Sequence, residues 1–111
     1  MKGDVAYLRY ILEMIARIEH AVSEGKDIFL NSTLHQDAVL RNLHTMTETT
    51  QRLTAATKAL HPEAEWATLA AFRNVLVHNY LGIDIELIWR VATTDVPRLK
   101  AQVERILDDI S

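Results

Sequence analysis

The 111-residue sequence predicts an all-α protein, a single up-and-down bundle of four to five helices. Apolar residues recur at three- and four-residue steps along most of the chain, which is the period of a helix. Three glycines and two prolines are too few for the many tight turns of a sandwich or a barrel. Because a domain usually has ~100–200 residues, the length predicts one helical domain over residues 1–111.

The first two helices follow from their caps and apolar seams. Asp4 is predicted to be the N-cap of the first helix, and Gly25 to end it. A second, long helix is predicted from about Ser32 to Leu60, rich in threonine and therefore dependent on packing. Its seam alternates steps of four and three residues through Val39, Leu43, Met46, Thr50, Leu53, Thr57 and Leu60.

The second half of the chain predicts a third helix and one or two further ones. Pro62 suits the first turn of a helix, which is predicted to run to about Leu81 with Gly82 as its stop. Asp84 is predicted to cap a short helix, and Thr93-Thr94-Asp95 to begin a last one. Within this part, the third helix holds the residues of chemical interest.

Composition and charge exclude several classes of protein. With 49% hydrophobic and 24% charged residues, the chain is typical of a soluble globular domain. No cysteine is present, which excludes disulfides, thiolate zinc sites and iron–sulfur clusters. The net charge of −3 argues against a protein that coats nucleic acid by neutralising many phosphates, so any such contact needs a few well-placed cations. No apolar stretch approaches the ~18 residues of a membrane span and no signal-peptide core follows Met1, which predicts a cytoplasmic protein.

The third helix combines polar and small residues on one side. At about 100° per residue, its core face is predicted to hold Leu69, Phe72, Val75 and Leu76. The opposite half carries Arg73, Asn74, His78 and Tyr80 among alanines, where a solvated face would carry Lys and Glu. Arg73 and His78 lie about 140° and about 7.5 Å of rise apart on an ideal helix, so their convergence needs a bent helix end or a second subunit. Spacing alone favours a simpler interpretation, in which Arg73 is a surface cation, His78 a half-buried histidine and Tyr80 a rim aromatic.

Other histidines predict no metal site. His20 with Glu24, and His44 with Glu48, have i, i+4 spacing that could hold a metal, but two ligands without a third favour surface pairs. The remaining two histidines, His35 and His61, lie near predicted helix starts and are expected to be exposed. Arg41 and Arg52 could extend a phosphate-binding track, although a solvated helix side is the simpler interpretation.

The third helix resembles that of a known family. Its segment Arg73-Asn74-Val75-Leu76-Val77-His78-Asn79-Tyr80 matches the motif of the HepT-like toxins in the HEPN superfamily: an Arg, four residues, a His, any residue and a Tyr. The resemblance covers nearly the whole chain, through Tyr7-Leu8 with Ile11-Leu12, Gln36 to Leu43, Trp66, and Ile83-Asp84 to Ile88-Trp89. One departure is Thr47, where the family commonly has a small residue.

The resemblance implies a metal-independent endoribonuclease toxin, paired with a small nucleotidyltransferase antitoxin and needing no cofactor. RNA supplies its own nucleophile, the 2′-hydroxyl. His78 is suited to general base or acid work and Arg73 to forked contact with phosphate oxygens. Asn74 could orient the imidazole, and Tyr80 could hydrogen-bond phosphate or stack on a base. The resemblance also assigns Tyr80 as the hydroxyl that the antitoxin adenylylates to silence the toxin.

The predicted chemistry needs a homodimer. In-line transfer requires a base and an acid on opposite sides, whereas one chain offers a single histidine at the site. An isologous dimer that packs the face of Ala67, Ala70, Arg73, Asn74 and Val77 on its copy would bring two histidines and two arginines into one cleft.

Two other functions stay open from the sequence. The chain could be a non-catalytic helical adaptor that binds the nucleotidyltransferase, with Arg73 and His78 on a nucleotide phosphate, and the acidic net charge favours this mildly. It could also be a structural dimer whose polar stripe sets the register between subunits.

Overall fold

Helices make up nearly all of the polypeptide that the computed structural model describes, which is residues 2–78 and 82–110, with Lys2 described by its backbone alone. In chain order they are α1 (Lys2–Val22), α2 (Lys26–Leu30), α3 (Thr33–Thr50), α4 (Ala55–Leu60), a 3₁₀ turn (Pro62–Ala64), α5 (Trp66–His78), α6 (Ile85–Arg90), a π-helical segment (Val91–Asp95) and α7 (Val96–Ile110). No strand occurs within those ranges. The all-α fold class is therefore confirmed.

Helix α1 is the centre of the bundle. It packs along α3 on one side and on α7 on another. Its buried apolar row follows the helical period: Leu8, Ile11, Met14, Ile15, Ile18 and Ala21. The facing residues of α3 and α7 are equally buried: Val39, Leu43, Met46, Leu99, Val103 and Ile106. Each of the larger side chains stabilises the fold by about 1.5–3 kcal/mol relative to leaving it in water, so this three-helix contact supplies most of the packing energy.

The start of α1 differs from the sequence prediction. Asp4 is not the N-cap, because α1 already begins at Lys2 and Asp4 lies in its first turn. Its carboxylate is 1% exposed and accepts hydrogen bonds from Thr54 N (3.0 Å), Thr54 Oγ1 (2.6 Å) and Thr57 Oγ1 (2.6 Å). Thr54 is itself the N-cap of α4. Asp4 therefore joins the first turn of α1 to the first turn of α4.

The predicted long second helix is two helices in the structure. Ser32 caps α3 as expected, but α3 ends at Thr50 and α4 starts only after the new cap at Thr54. Near the end of α3, threonine hydroxyls donate to carbonyls of the preceding turn, as Thr47 does to Leu43 O (2.9 Å) and Thr50 to Thr47 O (2.6 Å). Such bonds compete with the backbone ladder and explain the break. The hydroxyl bond also lets Thr47 occupy a fully buried position.

The ends of the later helices are partly as predicted. Gly25 follows α1 with a φ of +100°, a conformation that glycine adopts readily. Asp84 caps α6 by accepting from Glu86 N (3.0 Å) and Leu87 N (3.4 Å), as predicted. The predicted start at Pro62 is wrong for α5, which begins at Trp66 after the 3₁₀ turn, because Glu65 between them is left-handed, with a φ of 53°. The predicted end at Leu81 lies outside the described residues.

The last helix does not start afresh at Thr93-Thr94-Asp95, which corrects the sequence prediction. The chain stays helical from Ile85 to Ile110, through the π segment Val91–Asp95. That segment lies directly before Pro97, which has no N–H to donate and whose ring crowds the carbonyl four residues earlier. The wider π turn accommodates the proline without ending the helix.

Within the described ranges, no helix combines the length and the apolar character that a membrane span needs.

Candidate active site

Helix α5 lies at the edge of the bundle and makes extensive contact only with α3 among the described elements. Its core side is narrow: Leu76 is buried, and Leu69 and Phe72 are half-buried against the core. These three positions confirm the predicted core face. Val75 does not, since it is 43% exposed. With one neighbouring helix, α5 buries a narrower side than a helix that is surrounded by partners.

The opposite side of α5 is exposed and almost uncharged. We call it the α5 outer face, and it consists of Ala67, Thr68, Ala71, Asn74, Val75 and His78. Small and apolar residues on an exposed helix side are typical of a surface that packs against another helix. The face differs from the predicted dimer surface, because Ala70, Arg73 and Val77 are half-buried. They lie on the flank of α5 between the core and the outer face.

Arg73 has a guanidinium N–H that is available to a ligand, since it forms no hydrogen bond with the residues that the structure describes. The residue is half-buried, and its Nη1 donates to Asn74 Oδ1 over a long 3.5 Å. Its Nε is buried and has no hydrogen-bond partner among the described residues. A buried donor without a partner is unfavourable, and a phosphate oxygen would satisfy it. Arg73 is therefore suited to hold an anion.

His78 is exposed at the end of α5, on the outer face. Within the described part of the chain, no hydrogen bond links it to Arg73 or to Asn74. The expected contact between Asn74 and the imidazole is not made, and Asn74 Oδ1 instead accepts from Arg73 Nη1. Tyr80 lies outside the described residues. One protomer therefore presents the cation and the imidazole on different sides of the same helix, as the ideal spacing predicts.

A cavity of about 420 Å³ lies between α3 and α5, next to these residues. We call it the α3–α5 cavity, and its lining consists of Leu40, Arg41, His44, Leu76, Val77 and Ile83. Leu76 and Val77 stand between Arg73 and His78 in the sequence. The cavity therefore opens beside the candidate site, and sequence spacing could not reveal it because it depends on how two helices meet.

The other histidines are placed differently from the sequence expectation. His35 is half-buried and not exposed, with Nδ1 2.6 Å from Ser32 Oγ and Nε2 3.0 Å from Glu24 Oε2. Glu24 thus pairs with His35, eleven residues away, and not with His20. The spacing of four residues correctly indicates only the contact of His44 Nε2 with Glu48 Oε2, at 3.4 Å.

His61 is buried, which also corrects the expectation. It is 8% exposed, with its two ring nitrogens 3.4 Å from Glu63 Oε1 and 3.8 Å from Asp109 Oδ2. The contact with Asp109 comes from α7, a neighbour that the local sequence does not reveal. Among the described residues no group of three or more acidic or histidine side chains could hold a metal ion.

Comparison with known proteins gives a consistent family. The sequence matches the family described as "Ribonuclease HepT-like" over residues 11–106, a range that includes Arg73 and His78. A protein named "Probable ribonuclease HepT" from Thermococcus cleftensis is 35% identical over 101 residues, which cover 90% of this chain and 92% of that protein.

A longer relative has a compound name. A protein of Methanocaldococcus jannaschii named "Gamma-glutamylcyclotransferase and putative RNase" is 32% identical over 112 residues. The aligned part covers 99% of this chain, which spans only 50% of that relative's length. No solved structure matches the chain.

Proposed function

Because the chain belongs to the HepT-like ribonuclease family, we propose that it is a metal-independent endoribonuclease and the toxin of a toxin–antitoxin pair. The observation that carries the proposal is the state of Arg73 and His78. Arg73 has a buried donor with no partner among the described residues, and His78 is exposed about one and a half helical turns further on. A cation for the phosphate and an imidazole for proton transfer are the kinds of group that cleavage of a phosphodiester uses, and both lie on a helix at the edge of the bundle.

The reaction needs no external nucleophile. The 2′-oxygen of a ribose forms a bond to the adjacent phosphorus while the bond from phosphorus to the 5′-oxygen breaks. One imidazole takes the 2′-hydroxyl proton, and a second donates a proton to the departing 5′-oxygen. The guanidinium of Arg73 stabilises the charge that develops on the other phosphate oxygens. The products are a 2′,3′-cyclic phosphate and a 5′-hydroxyl.

We infer that two copies of the chain form the complete site. His78 and Arg73 project from α5 in different directions, so a second α5 is the simplest source of the missing groups. The α5 outer face supports this arrangement, because its alanines allow close approach and it carries no charged residue apart from His78 when protonated. In a twofold dimer across this face, the two copies of His78 would approach each other, and Arg73, on the flank of each α5, would lie at the edge of the shared cleft.

The dimer is tested by placing a charge on the outer face. Ala71→Glu should give a monomer that no longer cleaves RNA, because a carboxylate would be repelled by its twofold copy and would lose water on association. The fold should be unaffected, since Ala71 is exposed and Glu is a good helix former. Sedimentation equilibrium and a cleavage assay measure the two effects. Ala101→Glu, at an exposed position of α7, is the matched control. A dimeric, active Ala71→Glu protein would contradict the arrangement.

We further propose that a cognate nucleotidyltransferase silences the toxin by adenylylating Tyr80. Tyr80 is the tyrosine of the sequence motif that holds Arg73 and His78, and an AMP attached beside Arg73 would occupy the phosphate site and repel RNA. Co-expression with the antitoxin should therefore add AMP to the wild type, as read by intact-protein and peptide mass spectrometry. Tyr80→Phe should stay unmodified and unsilenced, whereas Tyr10→Phe, which removes an exposed tyrosine of α1, should behave like the wild type. A silenced protein with free Tyr80 would refute the proposal.

A second candidate function is a non-catalytic adaptor for the nucleotidyltransferase, and the net charge of −3 favours it. In that case Arg73 and His78 would bind a nucleotide phosphate. Cleavage of RNA by the purified chain alone separates the two functions, since an adaptor has no activity without its partner.

A further inference from the structure

The α3–α5 cavity has the chemistry of a site for a flat, partly polar molecule. Its walls are aliphatic, and two polar side chains, Arg41 and His44, stand among them. Its volume of about 420 Å³ falls within the range of roughly 300–1,000 Å³ that is common for small-molecule sites. A nucleobase has apolar faces and a hydrogen-bonding edge, which this combination of groups complements.

His44 has a ring nitrogen that forms no hydrogen bond with the described residues. Its Nε2 is buried, although the side chain as a whole is 43% exposed, and it has no hydrogen-bond partner among the described residues. Glu48 Oε2 lies 3.4 Å away, but the contact lacks hydrogen-bond geometry. A base edge in the cavity would satisfy this nitrogen, since nucleobases offer both donors and acceptors.

Arg41 is equally available. It is exposed on α3, and within the described part of the chain its guanidinium forms no ion pair and no hydrogen bond. A planar guanidinium can stack on a base or donate two parallel hydrogen bonds to its edge. In a protein with a net charge of −3, a cation that no described acidic side chain neutralises is a specific point of attraction for RNA at the cavity.

The position of the cavity connects it to the proposed reaction. Val77, which lines the cavity, lies four residues after Arg73 on the same side of α5. A phosphate held by Arg73 would therefore have its neighbouring nucleotide near the cavity mouth. We propose, building on the proposed function, that the α3–α5 cavity receives a nucleobase next to the scissile phosphate, with Arg41 and His44 contacting its edge and selecting the base.

The test measures binding to RNA with and without bases. Protein carrying His78→Ala, which should not cut RNA, is titrated with single-stranded oligonucleotides of A, C, G or U and with an abasic strand of equal length. The otherwise unchanged protein should bind its preferred base-bearing strand about tenfold more tightly than the abasic strand. His44→Ala or Arg41→Ala should reduce this preference to about twofold or less. Loss of a positive charge alone would weaken binding to the base-bearing strand and to the abasic strand equally.

Matched controls and outcomes make the test decisive. His20→Ala on α1 and Arg105→Ala on α7 remove the same residue types from exposed positions, and they should retain the tenfold preference. If Arg41→Ala and His44→Ala also retain it, the cavity is not a base site. Circular dichroism checks the fold of each variant. If His44→Ala is unfolded, the base preference of Arg41→Ala, which changes an exposed residue, decides the test on its own.

The result is independent of cleavage. If the wild type does not cleave RNA but the preference depends on Arg41 and His44, the ribonuclease proposal fails and the base site stands. If the wild type cleaves RNA and both variants keep the preference, the base-site proposal fails and the ribonuclease proposal stands.

Discussion

Replacing Arg73 or His78 with alanine is expected to abolish RNA cleavage and any growth inhibition. Without the imidazole, the 2′-hydroxyl has no base and the 5′-oxygen no acid, a loss of about 10²–10⁴-fold. Without the guanidinium, charge on the phosphate oxygens is no longer stabilised, which costs a comparable factor of about 10²–10³. Initial rates on an end-labelled RNA, measured for each variant beside the wild type, give these factors directly.

The fold should survive both substitutions. His78 is exposed, and Arg73 is half-buried with one long hydrogen bond to the described residues, so each change should alter the free energy of unfolding by less than about 1 kcal/mol. Arg73→Lys keeps the charge but loses the fork and should recover only part of the rate. Asn74→Ala, a neighbour without a direct chemical role, should cost much less than either. Wild-type activity in His78→Ala would retire the mechanism.

The largest expected effect on stability comes from Asp4→Ala. Its carboxylate is 1% exposed and accepts three hydrogen bonds that join α1 to α4. Alanine would leave the Thr54 N–H and hydroxyl without this acceptor, which should lower the free energy of unfolding by about 3 kcal/mol. Urea denaturation followed by circular dichroism measures the difference. Asp108→Ala, an exposed aspartate of α7, should change stability by less than about 0.5 kcal/mol. Equal effects at the two positions would show that the Asp4 contacts contribute little.

The same contacts predict a dependence on acid pH. Burial raises the pKa of Asp4, but the hydrogen bonds from Thr54 and Thr57 outweigh it, and the net pKa lies below the ordinary value of 3.8. Because the folded pKa is the lower one, the stabilisation is complete above pH 3.8 and is lost as the pH falls through the folded pKa. Asn at position 4 cannot titrate, so the difference in free energy of unfolding between Asp4→Asn and the wild type should become smaller as the pH falls through the folded pKa of Asp4. A gap that stays constant would contradict the assignment.

The sequence predicts those helix caps whose hydrogen-bond partners lie within a few residues along the chain. Ser32 and Asp84 cap their helices because the donors they bind are two or three residues away. Asp4 looks like a cap for the same reason, yet its partners are 50 and 53 residues away in the sequence. The end of α3 at Thr50 depends on hydroxyl-to-carbonyl bonds that no apolar period records.

The candidate site likewise has features that the sequence predicts and features that it does not. The spacing of Arg73 and His78 is a property of one helix, so a linear motif could indicate it, and their divergence on that helix was predictable from its geometry. The α3–α5 cavity and the pairing of His35 with Glu24 depend on which elements meet, and spacing carries no information on that. The helical period predicts Val75 on the core face, but Val75 is exposed, because the width of the buried side depends on the number of neighbouring helices.

The most direct test of the central claim uses purified protein, excess chelator and two labelled RNAs that differ by one oxygen. The first is all-ribose, and the second has a 2′-deoxy nucleotide at the mapped cleavage position. We expect the first to be cut to a 2′,3′-cyclic phosphate end and the second to remain whole at that position. Cleavage of the deoxy strand there, or activity that disappears with chelator, would contradict attack by the 2′-hydroxyl assisted by Arg73 and His78.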